Sequence, residues 1–199
     1  MRSLFFRIAF TNLIALASTL ATATLTTAAF AQAPAAAPLQ TPNPHYVSIP
    51  MEIAVNRPAA EVWKRVGKWC DIAEWLQVPC TITSGKDGEF GAVRSLRNGA
   101  VIEVLVAKTA LSYAYTQPVR EGQQYNLYHG TVEAVPVTAT TCKLLYTLVF
   151  DNSMLADDAA REKDIQQRTA QFMRALSNMK ILAEGGTLPA TPPARGPGR

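Results

Sequence analysis

The sequence predicts an α+β domain: a curved antiparallel sheet of seven strands around one long C-terminal helix, with two short helices near its start. Three observations predict it. One strand with period-two patterning is followed at once by short helical stretches after Pro58. From Cys80 to Phe150 the apolar residues again recur with period two, with tight-turn signals between the runs. The last patterned stretch, from about Ala156 to Glu184, is a single amphipathic helix. A lone helix of that length must bury its apolar stripe, and a curved sheet is the surface available to it. That pairing often leaves a cavity between the two.

The elements follow in order. Val47, Ile49, Met51, Ile53 and Val55 alternate with Ser48, Pro50, Glu52, Ala54 and Asn56, which is a strand with one apolar face. Pro50 cannot donate to a ladder and places that strand at an edge or bulge. Asn56-Arg57-Pro58 then starts a helix, with Asn56 as cap and Pro58 in the first turn. Val62, Val66 and Trp69 fall at helical spacing, with Trp63 beside them, and a second short helix over Asp71–Leu76 carries Ile72 and Trp75 before Pro79 ends it. Lys86-Asp87-Gly88 and Asn98-Gly99 are turn signals. Asn98-Gly99, between Val93–Leu96 and Val101–Val104, marks a hairpin. Further strands are expected at Leu111–Gln117, Tyr125–Val135 and Thr140–Phe150. On the final helix, Ile165, Thr169, Phe172, Leu176, Met179 and Ala183 form one stripe, and Gly185-Gly186 stops it.

The segment ahead of this domain has a different character. Residues Met1 to Ala33 contain Arg2 and Arg7, no acidic residue, an apolar middle and the small-x-small exit Ala31-Gln32-Ala33. Those are the parts of a secretory leader, with cleavage after Ala33. Thr11, Asn12, Ser18, Thr19, Thr22 and Thr24 interrupt the apolar run, which argues against an uncleaved membrane anchor. The expected compartment is periplasmic or extracellular, with no stable membrane insertion after cleavage. Residues 34–44 read as a Pro/Ala linker and 185–199 as a disordered tail, leaving 45–184 as the domain.

Charge and cysteines narrow the function further. The chain has 19 basic and 15 acidic residues, and loss of the leader's two arginines leaves it close to neutral. No basic cluster with interleaved aromatics occurs, so nucleic acid is not an expected partner. Cys70 and Cys80 are the nearer pair for a bridge in an oxidising compartment, and the pair either bridges there or stays reduced. Cys142 lies in a strand pattern as a small buried residue. His45 and His129 stand alone, and there is no CxxC, HExxH, phosphate loop or nucleophile elbow. No metal, cofactor or strong catalytic constellation is therefore expected.

The order β-α-α followed by six strands and a helix is that of the helix-grip fold. The segments Asn56–Trp63, Trp69 with Trp75, the hairpin through Asn98-Gly99 into Val101-Ile102-Glu103, Ser112–Tyr115 and Tyr128–Val132 carry a further likeness. On them the chain resembles the START/SRPBCC superfamily, in flavour the small bacterial proteins similar to abscisic-acid receptors and the polyketide cyclase/dehydrase-like proteins. The resemblance implies a small apolar ligand held between sheet and long helix. It also implies a strand carboxylate near the entrance within a polar network, and gating turns at Asn98-Gly99 and at Val119–Gly122.

Glu103 is the residue that falls on that carboxylate position. Period two puts it on the face of Val101 and Leu105, where a carboxylate needs a partner or water. If the register is opposite, it faces solvent. Tyr113 and Tyr115 share one face, as do Tyr128, Gly130 and Val132, with His129 pointing away. Trp75 is the expected pocket mouth, and Phe172 and Leu176 the floor. The expected ligand-binding set is Glu103, Tyr113, Tyr115, Tyr128, Trp75, Phe172 and Leu176. Two alternatives stand beside a binding protein. One is a cyclase or dehydratase acting on a hydrophobic carbonyl compound, with Glu103 as proton shuttle. The other is an accessory protein of a periplasmic dehydrogenase system that meets a protein partner.

Overall fold

The strands β1 (Tyr46–Val55), β2 (Cys80–Ser84), β3 (Val93–Leu96), β4 (Val101–Lys108), β5 (Ser112–Thr116), β6 (His129–Pro136) and β7 (Cys142–Asp151) form one antiparallel sheet in the order β1-β7-β6-β5-β4-β3-β2. The helices are α1 (Ala59–Val66), α2 (Ile72–Trp75) and α3 (Asp158–Ala183). This is a computed structural model in which residues 43–119 and 127–189 are described. The leader, all but the end of the linker, the tail from residue 190, the expected strand start at Tyr125 and most of the second gating turn lie outside the described residues.

β1 is an edge strand, as Pro50 requires. Its even alternation puts Val47, Ile49 and Met51 in the core against β7. α1 ends at Val66 rather than at the expected Trp69, because Gly67 terminates it. A side chain at Gly67 would run into the Trp63 ring. The freed Trp69 then turns inward and is fully buried. Asn56 is not the cap. Pro58 occupies that position without a side-chain bond, and the Asn56 amide instead donates to Glu184 Oε1 at 2.8 Å.

The hairpin at Asn98-Gly99 is present, with Leu96 opposite Val101 and a four-residue turn whose residues Arg97, Asn98 and Gly99 all have left-handed backbone. Bulges in β2 after Ile82 and in β4 after Leu105 bend this end of the sheet. α3 is capped by Asp157, whose side chain accepts from the Ala160 amide at 2.7 Å. It lies against β1 and β7 and meets α1 and α2. It buries Phe172, Ala175, Leu176, Met179 and Leu182, each large side chain contributing about 1.5–3 kcal/mol. Ile165 and Thr169, at the start of the expected stripe, are only half-buried, so the helix grips the sheet through its C-terminal half. No described helix is long and apolar enough to cross a membrane.

Candidate binding site

The hairpin register decides the chemistry of the interior. With Leu96 opposite Val101, Arg94 falls directly opposite Glu103, and both point inward. Arg94 has no exposed surface and Glu103 has 3 %. Arg94 Nε donates to Glu103 Oε2 at 2.7 Å, and Nη2 lies 2.6 Å from the same oxygen as a close ion contact. Arg94 Nη1 donates to the Trp69 carbonyl, and the guanidinium sits 3.6 Å above the Trp69 ring. Burial works against the charge on Arg94. The neighbouring Tyr113 and Glu103 more than offset it, so its pKa is raised above the ordinary arginine value. The partner that an inward Glu103 needs is thus a buried arginine, a residue the sequence reading passed over.

Glu103 Oε1 accepts from Gln117 Nε2 at 3.2 Å. A carboxylate offers about four acceptor positions, so among the described residues one is left open on this oxygen. Glu103 lines a cavity of about 200 Å³ between the hairpin, α2 and α3, walled by Ile72, Leu76, Leu96, Val101 and Phe172 on the apolar side and by Tyr115, Tyr128, Gln117, Gln171, Arg97 and Arg168 on the polar side. Expected residues Glu103, Tyr115, Tyr128 and Phe172 therefore converge on one cavity. Tyr113 and Leu176 do not border it. Tyr113 is packed against Trp63 and Trp69, and Leu176 lies in the core beneath the sheet. Trp75 does not border it either. Fully buried, its indole N–H bound to the Val66 carbonyl, it forms a wall of a second, outer chamber of about 460 Å³. The inner cavity is smaller than the ~300–1,000 Å³ usual for drug-sized ligands, because the aromatic residues fill much of the space behind it.

Those aromatics form a continuous block. Tyr115 Oη meets Tyr146 Oη at 2.7 Å, and Tyr146 packs on Phe172 at 4.7 Å between ring centres. Gly130 stands opposite Tyr115 across β5 and β6, and any side chain there would collide with the Tyr115 ring. That close approach, more than backbone freedom, is why glycine occupies the position. Arg168, paired with Asp164 at 2.9 Å, covers Tyr128 and Phe150.

Burial pushes the Tyr115 and Tyr146 phenols well up. It pushes Tyr128 up to about 12, although Arg168 pulls the other way. A phenol whose folded value exceeds its unfolded value of ~10 adds stability that is complete below pH ~10 and lost as the pH rises through the folded value. For Tyr128 that window is pH ~10 to 12. A tyrosinate absorbance titration should therefore show the buried phenols ionising together with loss of tertiary circular dichroism. Gradual ionisation of Tyr128 in a folded chain near pH 10 would contradict its burial.

Among the described residues no group of three or more His, Cys, Asp or Glu side chains converges to hold a metal. A disulfide joins Cys70, just after Trp69, to Cys80 at the start of β2, and Cys142 is free and buried.

The family model described as polyketide cyclase / dehydrase and lipid transport matches residues 46–181. The chain belongs to that family. Solved structures with the family's fold include a protein from Thermobifida fusca, 21% identical with a TM-score of 0.58, in which the alignment covers 72% of this chain and 99% of that one. An aromatase/cyclase from a Streptomyces species is 17% identical at TM-score 0.55, over 72% of this chain and all of that one (100%). Truncated norcoclaurine synthase from Thalictrum flavum is 13% identical at TM-score 0.52, over 74% and 99%. At these identities the likeness is one of fold. No curated protein matches the chain in sequence.

Proposed function

We propose that this protein is exported and binds a small, largely apolar molecule in the inner cavity, with Glu103 accepting a hydrogen bond from the one donor group of the ligand. The observation that carries this reading is a carboxylate, 3 % exposed, that among the described residues keeps an open acceptor position and lines a cavity with one apolar side. Membership of a family described by cyclase/dehydrase chemistry and lipid transport supports it, since both enclose an apolar molecule. The leader and the Cys70–Cys80 bridge support export to an oxidising compartment.

The test is an NMR titration of the mature domain with para-propylphenol and with propylbenzene. The phenol should bind about tenfold more tightly, the worth of a hydrogen bond to a charged acceptor. Val101→Phe, which fills the half-buried wall of the cavity, should weaken both. Absence of saturable shifts with the phenol, or an unchanged affinity in Val101→Phe, sinks the proposal. Fractionation of cells making the full chain tests export, with the mature N-terminus expected at Pro34.

A further inference from the structure

Among the described lining residues the outer chamber carries arginines as its only charged side chains, whereas the inner one has Glu103 beside Arg97 and Arg168. Arg97, from the hairpin turn, and Arg174, from α3, both line it, together with the amide side chains of Gln77, Gln171 and Asn178. No acidic side chain is among its described lining residues, and neither arginine has an ion-pair partner among the described residues. Arg65, Arg94, Arg161 and Arg168, in contrast, are each held by a carboxylate. The two chambers share Leu76, Arg97 and Gln171 as a common boundary. The turns that carry Gln77 and Arg97 are stitched together by a bond from the Arg97 amide to the Pro79 carbonyl at 3.0 Å, and both residues hold left-handed backbone, at φ 57° and 52°. Non-glycine residues rarely adopt that conformation, and such positions cluster at binding sites.

Resting on the reading of the inner cavity above, we propose that the ligand is an amphipathic anion: a compact apolar body with a hydrogen-bond donor at one end and a carboxylate or similar anionic group at the other. The donor end enters first and meets Glu103. The anionic end stays in the outer chamber, where Arg97 and Arg174 supply planar arrays of donors suited to carboxylate oxygens. The reverse orientation would set an anionic group, which has no donor, against the open acceptor position of Glu103. The two chambers thus set both the class of the ligand and its direction.

The experiment compares para-hydroxyphenylpropanoate with its methyl ester by isothermal titration of the mature domain, with para-propylphenol as the neutral reference. The acid should bind about tenfold more tightly than the ester at low salt, as charge-assisted hydrogen bonds imply. That ratio should shrink as salt is raised, because the arginines are exposed. Arg174→Gln, at an exposed helix position, should bring the acid-to-ester ratio close to one, and Arg174→Glu should invert it. If para-propylphenol binds but the acid gains nothing over the ester, the anion assignment falls and the inner-cavity reading survives. If Arg174→Glu still prefers the acid, the assignment falls as well. If none of the three probes binds, the inner-cavity reading falls and takes this one with it.

Discussion

Arg94→Met should lower the unfolding free energy by about 3–5 kcal/mol, because it strands the Glu103 carboxylate in the interior without its counter-charge. Arg94 has no exposed surface, and Glu103 is almost as deep. The substitution also removes the donor to the Trp69 carbonyl and the cation over the Trp69 ring. The loss measures a stranded charge, not the net worth of the pair. Arg94→Met combined with Glu103→Leu should therefore recover most of it, since a buried ion pair replaced by apolar groups of similar volume is often neutral or stabilising. Urea midpoints of the two variants check this. A single variant that costs no more than a surface substitution would show that water reaches the pair. Arg94→Lys should recover only part of the loss, because an ammonium cannot engage Glu103, reach the Trp69 carbonyl and stack on the indole at once. The double variant should retain the fold and lose its preference for para-propylphenol over propylbenzene, which separates stability from ligand orientation.

Much of this site was legible in the sequence, and its central pair was not read from it although the signal was there. Period-two alternation put Glu103 with Val101 and Leu105 on one face, and that face is the inner one. The same logic applied to Val93–Leu96 puts Arg94 with the apolar Leu96, and a hairpin centred on the Asn98-Gly99 turn pairs it with Glu103. An arginine in a short strand reads as solvent-facing until the register across the turn is worked out. Trp75 shows a different difficulty. A tryptophan in a short helix near a loop looks like a pocket mouth; packing under α3 buries it, and it walls the outer chamber rather than the inner cavity. Its carbonyl accepts from Asn178 on α3 at 2.9 Å. Tyr113 shares the inner face with Tyr115 but lies outside the cavity, where Trp63 and Trp69 close over it. Bulges and long-range packing leave no periodic trace. The early end of α1 was marked by Gly67, but periodicity carried the expected helix past it.

Replacing Cys70 and Cys80 together by serine should cost about 2–3 kcal/mol, the loop-closure term for a bridge spanning ten residues. The effect should reach the binding site, because the bridge fixes the residue next to Trp69. The Trp69 amide donates to Asp87 Oδ1 at 3.0 Å, its carbonyl accepts from Arg94, and its ring lies beneath the guanidinium. Without the bridge, the segment between α1 and β2 is held by those contacts and by the packing of Ile72 and Trp75. The Cys→Ser pair and Arg94→Met should therefore be coupled rather than additive, with an interaction energy of about 0.5–3 kcal/mol, since both act on the placement of Trp69. A double-mutant cycle of urea midpoints under oxidising conditions measures it. Under reducing conditions the wild type should shift to the stability of the Cys→Ser variant. Equal midpoints with and without reductant would mean the bridge adds nothing, and strict additivity would mean Trp69 is held independently of it. If coupling is found, reduction weakens both the fold and the support of Arg94.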